Sequence, residues 1–370
     1  MGFLYVPIDI MTRKRLRDLG YSVGRLPTGR HNAITDVAGV RVGYATVMAD
    51  APRIARTGVT AIVPNDGRIW DRCLFAGAHV LNGFGEMTGL AWLNEAGLLN
   101  APIALTNTHD VGAVRDALVT AAAERGFRQN HMLPIAAETC DDGMNDATAH
   151  HVTAGHLFDA LQSAAGGAIA EGNVGGGTGM TCHDFKGGTG TASRVARAAG
   201  RDFTVGALVQ ANYGGRADLR FDGVPVGREI GLDRVPTPDW GGLKGAGSII
   251  IVLATDLPLL PLQCRRLAQR AGLGLARVGG FGHNGSGDIF LAFSTGNVLP
   301  LGSTTVLTGL AMLPNEEIDP LFEAAIEAVE EAILNALTMA ETMTGLDGRT
   351  LHALPYDLLA EAMARYRRRD

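Results

Sequence analysis

The chain has 370 residues, of which 46% are hydrophobic and 19% are charged. This composition is typical of a globular protein and excludes a wholly disordered chain. A formal net charge of −6 gives no indication of binding to nucleic acid or to an anionic membrane surface. No apolar run reaches the ~18 residues of a transmembrane helix. The four cysteines form no CxxC pair, so we expect a cytoplasmic protein without structural zinc or disulfides.

Strands and helices are predicted alternately along the chain, from β-branched apolar runs and from apolar residues spaced by three and four. Asp319 is expected to be the N-cap of the fourth helix, with Pro320 at its first position. The interleaving favours an α/β architecture, and we predict one domain over residues 1–370, with 234–247 as the best candidate for an internal boundary. The predicted strands are Gly58–Pro64, Pro102–Thr106, Val205–Gln210, Ser248–Thr255 and Asp288–Ser294, and the predicted helices are Asp110–Arg125, His156–Ala165, Leu259–Ala271, Pro320–Met343 and Tyr356–Arg368.

Glycine accounts for 50 residues and is clustered beside predicted strands, which indicates tight turns and close backbone contacts. Gly280–Gly285 reads GFGHNG, but a strand follows it where a dinucleotide-binding turn requires a helix. Gly172–Met180 lacks the Gly-Lys-Ser/Thr ending of a P-loop and predicts a tight loop that lines a site. His150, His151 and His156 match no metal-binding signature, so we expect surface or capping roles for them and predict neither a metal nor an organic cofactor.

Gly247 and Ser248 stand where a glycine-rich stretch meets the strongly apolar segment Ser248–Thr255. A serine in this position can attack the preceding carbonyl carbon in an N-to-O acyl shift, and hydrolysis then releases Ser248 as a new N-terminus. Its α-amine, with an unperturbed pKa near ~8, would act as general base for the hydroxyl. The alternative interpretation is an ordinary passage from a loop into a strand, and the pattern alone leaves both open.

Eight short segments carry a resemblance to a known family. They are Asn82–Gly89 (NGFGEMTG), Leu105–Thr108 (LTNT), Glu138–Thr139 (ET), Glu171–Met180 (EGNVGGGTGM), Phe185–Gly190 (FKGGTG), Val209–Tyr213 (VQANY), Gly247–Asp256 (GSIIIVLATD) and Gly282–Asp288 (GHNGSGD). With these segments the chain resembles the L-aminopeptidase/D-esterase and β-peptidyl aminopeptidase family of self-processing N-terminal-serine hydrolases. The resemblance implies a four-layer α-β-β-α sandwich like that of the N-terminal-nucleophile hydrolases, with different connectivity. It also implies autocleavage into residues 1–247 and 248–370, and a homo-oligomer, such as a tetramer, of the resulting heterodimers.

The same resemblance assigns roles to five side chains. Ser248 matches the nucleophile. Ser286 and Asp288 match a serine and a carboxylate that assist it, and many relatives have glutamate at the second of these positions. Asn212 matches the amide donor of the oxyanion hole, where a tetrahedral intermediate develops negative charge. Glu138 matches the carboxylate that holds the α-ammonium group of the substrate, which would make the enzyme an aminopeptidase.

Cys140 departs from the family pattern. Several relatives carry an aromatic residue near the glutamate, and a tyrosine there has a catalytic or oxyanion role, whereas a thiol is shorter and a weaker donor. The first hypothesis is therefore a serine aminopeptidase acting on short peptides, amides or esters. The second is a related hydrolase of another amide, either pantetheine-like or an oligomer of ω-amino acids. The third is a non-catalytic binding protein of the same fold, against which the joint presence of Ser248, Asn212, Ser286 and Asp288 argues.

Overall fold

The computed structural model describes residues 13–127, 132–240 and 247–367. These residues form fourteen β-strands and seven α-helices. The strands are β1 Arg41–Ala49, β2 Ala55–Val63, β3 Arg72–Gly83, β4 Leu98–Leu99, β5 Ile103–Asn107, β6 Ile135–Thr139, β7 Thr181–Cys182, β8 Phe185–Lys186, β9 Gly188–Ala198, β10 Arg201–Asn212, β11 Ser248–Thr255, β12 Gly287–Pro300, β13 Met343–Thr344 and β14 Thr350–Leu351. The helices are α1 Leu90–Ala96, α2 Val111–Glu124, α3 Ala154–Gln162, α4 Val226–Glu229, α5 Pro261–Arg277, α6 Asp319–Met339 and α7 Tyr356–Arg367.

Two large sheets contain most of the strands. The larger sheet has the order β4-β3-β12-β11-β10-β9, and the smaller has the order β1-β2-β5-β6. β11 and β12 are parallel, with α5 between them along the chain, and β5 and β6 are parallel, with α2 between them. A crossover of this kind is needed because the chain has to return to the same end of the sheet before a parallel strand can begin. The other pairs in both sheets are antiparallel.

The central strand β11 shows how the layers are arranged. Successive side chains of a strand point to opposite faces of the sheet. Ile249, Ile251 and Leu253 belong to a hydrophobic core shared with α5 and α6. Ile250 and Val252 belong to a second core, shared with the smaller sheet. Because α2 and α3 pack against that smaller sheet, the layers follow the order α-β-β-α, and the predicted sandwich is confirmed.

The predicted elements all overlap elements of the structure, and β11 has the predicted bounds. The prediction of Asp319 as an N-cap is wrong. The helix α6 begins at Asp319, and Ile318 before it already has helical dihedral angles (φ −83°, ψ −20°), so Pro320 is the second helical residue. Strands β1, β3, β6 and β9 have no counterpart among the predicted strands. Residues 241–246 of the candidate boundary segment and Arg368 lie outside the described residues.

Candidate active site

The register of the larger sheet places the predicted nucleophile in a row of four strand ends. Asn212 ends β10 and pairs with Ser248, the first residue of β11. On its other side Ser248 pairs with Gly287 of β12, which in turn pairs with Gly83 of β3. Ser248 lies on the strand face that carries Ile250, so its side chain points toward the smaller sheet.

A cavity of about 780 Å³ lies at this end of the two sheets. Gly247, Ser248 and Asn212 form part of its wall, and Glu138 of β6 and Cys140 lie in the wall from the side of the smaller sheet. The described lining is strongly acidic, which favours a substrate that carries positive charge. Arg349 supplies the single guanidinium group of this lining, and the carboxylates are Glu86, Glu138, Asp141, Asp142, Asp184 and Asp239.

Ser248 is held at the cavity by backbone contacts on both sides. Only 5% of the residue is exposed. The Gly287 N–H donates to Ser248 Oγ at 3.1 Å, which fixes the hydroxyl oxygen. The preceding Gly247 has φ +153°, a conformation that side-chain-bearing residues rarely adopt, and a Cβ there would lie 2.1 Å from the Asn212 carbonyl oxygen. Glycine is therefore required at the residue before Ser248.

Ser286 and Asp288 form a hydrogen-bonded pair at the start of β11. Ser286 Oγ donates to Asp288 Oδ1 at 2.7 Å, and the same oxygen accepts the Ile249 N–H at 3.2 Å. Burial raises the pKa of Asp288, and the bond from Ser286 opposes that shift. The pair does not line the cavity itself; it contacts the backbone immediately after Ser248. The shorter aspartate side chain still reaches both of these partners.

Both ends of the Asn212 side-chain amide are fixed. Its Oδ1 accepts the Thr181 N–H at 2.8 Å, and its Nδ2 donates to the Cys140 carbonyl oxygen at 2.9 Å. An asparagine Nδ2 carries two hydrogens, so the bond to Cys140 leaves one N–H for a ligand in the cavity. This geometry is suited to an oxyanion-hole donor, because the amide is already oriented before substrate binds.

Glu138 is the second-last residue of β6, and it lies across the cavity from Ser248. Its Oε1 accepts the Glu86 N–H at 2.7 Å, and its Oε2 accepts the Thr108 hydroxyl. Burial raises the pKa of Glu138, and the bonds from Thr108 and Glu86 partly offset that shift. A buried carboxylate in an acidic cavity is stabilised by a cationic partner, and the α-ammonium group of a peptide is one such partner.

Residues 32–351 match peptidase family S58. The chain belongs to this family. It is 46% identical over 371 residues to beta-peptidyl aminopeptidase BapA of Sphingosinicella microcystinivorans, covering 96% of this chain and 93% of that protein. A solved beta-aminopeptidase from Burkholderia sp. superposes with a TM-score of 0.89 at 51% identity, over 95% of this chain and 99% of that one. The L-aminopeptidase D-Ala-esterase/amidase of Ochrobactrum anthropi, described as a new variant of the Ntn hydrolase fold, superposes with a TM-score of 0.88 at 42% identity, over 96% and 99% of the two chains.

Family S58 membership confirms three predictions from the sequence: the family, the Ntn-hydrolase-like fold and the enzyme class. The chain is an aminopeptidase of this family. Ser248, Gly247, Asn212 and Glu138 all line one cavity. In the parts of the chain that the structure describes, no group of three or more His, Cys, Asp or Glu side chains is arranged to hold a metal ion.

Cys140 lies in the cavity wall of this S58 chain and contributes its backbone to the site, through the carbonyl that accepts from Asn212. Burial raises the pKa of its thiol to about 12, so the side chain is a neutral thiol near neutral pH. Thr108 and Thr181 hold Glu138 and Asn212 in place, and neither residue was predicted to have a role in the site. Both lie in quoted or neighbouring family segments, but their contacts join residues 30 and 31 positions apart.

Proposed function

We propose that this S58 chain is a self-processing serine aminopeptidase that releases N-terminal residues from short peptides, amides or esters through an acyl-enzyme on Ser248. The observation that supports this most directly is the meeting of Ser248, Asn212 and Glu138 at one cavity. A hydroxyl, an oriented amide and a buried carboxylate supply a nucleophile, an oxyanion donor and an anchor for a substrate ammonium group.

The first step of the proposal is cleavage of the Gly247–Ser248 bond. Ser248 Oγ attacks the Gly247 carbonyl carbon, the peptide C–N bond breaks, and the acyl group passes from the serine nitrogen to its oxygen. Water hydrolyses the resulting ester, which leaves a carboxylate on Gly247 and a free α-amine on Ser248. The hydrogen bond from the Gly287 N–H and the glycine-specific conformation of Gly247 support this step.

In the cleaved enzyme, the α-amine of Ser248 accepts the proton of Oγ as that oxygen attacks the scissile carbonyl of the substrate. An unperturbed α-amine has a pKa of ~8, and a general base is most effective when its pKa is close to the pH at which the enzyme works. Asn212 Nδ2 donates to the developing oxyanion, and the protonated α-amine then gives its proton to the leaving amine. Water hydrolyses the acyl-enzyme. Ser286 and Asp288 orient the start of β11 through the bond to the Ile249 N–H.

Glu138 explains why the proposed activity removes residues from an N-terminus. A substrate ammonium group paired with Glu138 sets the distance from the free amine to the carbonyl at Ser248. A chain that continues beyond that amine would have to pass Glu138, Glu86 and Thr108, which line this side of the cavity. Cleavage is therefore limited to bonds near the N-terminus.

The substrate proposal follows the relatives in part. BapA is named a beta-peptidyl aminopeptidase and the Burkholderia protein a beta-aminopeptidase, and we propose that N-terminal β-amino-acid residues are among the groups this chain releases. The second candidate is an amidase for pantetheine-like or ω-amino-acid amides, which the short Cys140 side chain in the cavity wall favours because it leaves more room than an aromatic residue. Relative kcat/KM values for α-aminoacyl, β-aminoacyl and pantetheine amides separate the two candidates.

A homo-oligomer of cleaved heterodimers remains part of the proposal, as does a cytoplasmic location. Apolar side chains at Val306, Leu307, Leu310 and Met312 are exposed, Val306 by 88%, which supports a protein contact on this segment. Light scattering coupled to size exclusion measures the assembly. Among the helices of the described segments, none combines the length and apolar character that a bilayer crossing requires.

The decisive experiment compares the wild type with Ser248→Ala and with Ser303→Ala, a control at an exposed serine. Denaturing mass spectrometry of the wild type and the control should give fragments of about 26 and about 13 kDa, in proportion to residues 1–247 and 248–370 of the 38.8 kDa chain. Ser248→Ala should remain intact and should lose hydrolysis of aminoacyl anilides. Cleavage or hydrolysis by Ser248→Ala would show that the nucleophile is a different residue.

A further inference from the structure

Lys186 is a fully buried lysine next to the site, and the proposed reaction does not use it. Its Nζ donates to the carbonyl oxygens of Gly187 at 2.8 Å, Met180 at 2.9 Å and Gly177 at 3.4 Å. Within the described residues it forms no ion pair with a carboxylate, and burial lowers its pKa to about 7. The three carbonyl acceptors need three N–H donors, which the ammonium form has and a neutral amine lacks. Burying an ammonium group is costly unless hydrogen bonds or an opposite charge replace its lost hydration.

The Met180 carbonyl connects this lysine to the oxyanion donor. It accepts hydrogen bonds from Lys186 Nζ and from the Gly187 N–H, the latter at 2.9 Å. The N–H at the other end of the same peptide group is that of Thr181, and it donates to Asn212 Oδ1 at 2.8 Å. Because a peptide group is planar, a group that fixes its carbonyl also fixes the direction of its N–H.

We propose that Lys186 is a positioning residue for catalysis, which orients and polarises the Asn212 amide through the Met180–Thr181 peptide group. This inference rests on the proposed role of Asn212 as oxyanion donor. A cation at the carbonyl oxygen withdraws electron density from the peptide group, so the Thr181 N–H becomes a stronger donor. That bond polarises the Asn212 amide in turn, and its free Nδ2–H becomes a stronger donor toward the oxyanion. Hydrogen bonds in such chains strengthen one another by roughly 10–30% per bond.

The local backbone explains why a side chain from β8 supplies this charge. The strands β7 and β8 form a tight hairpin in which Thr181 pairs with Lys186. The preceding glycine loop is packed against backbone: a Cβ on Gly177 would lie 2.3 Å from the Thr189 nitrogen, and one on Gly179 would lie 2.2 Å from the Arg56 carbonyl oxygen. The loop therefore cannot carry side chains that would satisfy its own carbonyls, and Lys186 donates to them from the hairpin.

The test is a double-mutant cycle on the mature enzyme. Lys186→Met removes the charge at similar length, and Lys14→Met is the matched control because Lys14 is exposed. With an aminoacyl anilide, Lys186→Met should lower kcat about tenfold with KM changed less than about twofold, which is a smaller loss than the ~10²–10³-fold expected for deletion of an oxyanion donor. In an Asn212→Ala background, Lys186→Met should cause no further loss, because the group through which it acts is gone.

Lys186→Gln keeps an N–H donor for the Met180 carbonyl without the charge, and it replaces the methionine variant if that variant does not mature. Its kcat should fall nearly as far, with thermal unfolding confirming the folded state. An unchanged kcat, or an equal loss in the wild-type and Asn212→Ala backgrounds, would overturn the inference while leaving the proposed function intact. Full activity of Asn212→Ala would instead remove the oxyanion assignment, and the inference with it.

Discussion

Gly247→Ala tests the backbone geometry at the Gly247–Ser248 bond, where cleavage is proposed. An alanine Cβ would lie 2.1 Å from the Asn212 carbonyl oxygen and 3.1 Å from the Tyr213 Cα, and both are backbone atoms. Overpacking costs about 1–3 kcal/mol, and a side chain held at φ +153° costs about another 1–3 kcal/mol. We expect the Gly247 backbone to shift in order to relieve this strain, which would misalign its carbonyl carbon with Ser248 Oγ. A loss of about 2 kcal/mol in the alignment of these groups slows the acyl shift about 30-fold, and the full strain slows it further.

The assay follows precursor and fragments by denaturing mass spectrometry at intervals after rapid purification. Gly223→Ala is the matched control, because Gly223 also has a positive φ (+76°) but no atom lies within 4 Å of its Cβ position. We expect the control to mature at the wild-type rate and Gly247→Ala to persist as intact chain. Maturation of Gly247→Ala at or above the wild-type rate would show that strain is released during cleavage, which contradicts this reasoning.

Two further predictions concern substrate binding and stability. Glu138→Gln should raise KM for substrates with a free α-ammonium group about 10- to 150-fold, from the ~1.5–3 kcal/mol of a charged hydrogen bond, with a much smaller change in kcat. Burial raises the pKa of Glu138, so wild-type KM should increase as the pH falls through that raised pKa and the carboxylate is protonated. The KM of the variant should not change over the same pH range. A pH-dependent KM in both proteins would contradict the assignment. Arg194→Met removes a buried partner of Glu327 (3.0 Å) and Glu331 (2.7 Å). This should cost ~3–5 kcal/mol of stability and lower Tm by about 4–6 °C in differential scanning calorimetry. The control is Arg197→Met, whose ion pair is exposed and which should change Tm by less than about 1 °C.

The sequence predicts the strands whose own residues favour a strand. β11 reads SIIIVLAT, and its β-branched run is buried on both faces, so its bounds follow from composition alone. β9 reads GTGTASRVARA, in which small residues dominate because α6 packs close above it: a Cβ on Gly190 would lie 2.0 Å from the Ala332 carbonyl oxygen. Tertiary packing selects those glycines and alanines, and no local pattern shows that they form a strand.

The site also combines a feature that a local sequence pattern shows with contacts that no local pattern shows. The proposed nucleophile stands in a local pattern, a glycine and a serine before an apolar run, and this pattern is compatible with an acyl shift and with an ordinary loop-to-strand passage. The contacts that fix the other groups are distant in sequence. The Asn212 amide depends on Cys140, 72 residues away, and Glu138 depends on Glu86, 52 residues away. Such pairs depend on which strands are neighbours in the fold. From the sequence, the resemblance to a family pointed to Asn212 and Glu138 but not to the residues that hold them in place.

The position of the proposed cleavage within the larger sheet accounts for how a nucleophile at a chain end can remain fixed. Cleavage before Ser248 would assign β11 and β12 to one fragment and their outer neighbours β10 and β3 to the other. The new N-terminus would then be the end of a central strand, paired with Asn212 on one side and with Gly287 on the other. The fragments would also remain joined by the buried pairs of Arg194 with α6. The proposed cleavage would therefore release an amine without releasing the strand that carries it, and the proposed general base would stay within reach of the hydroxyl on the same residue.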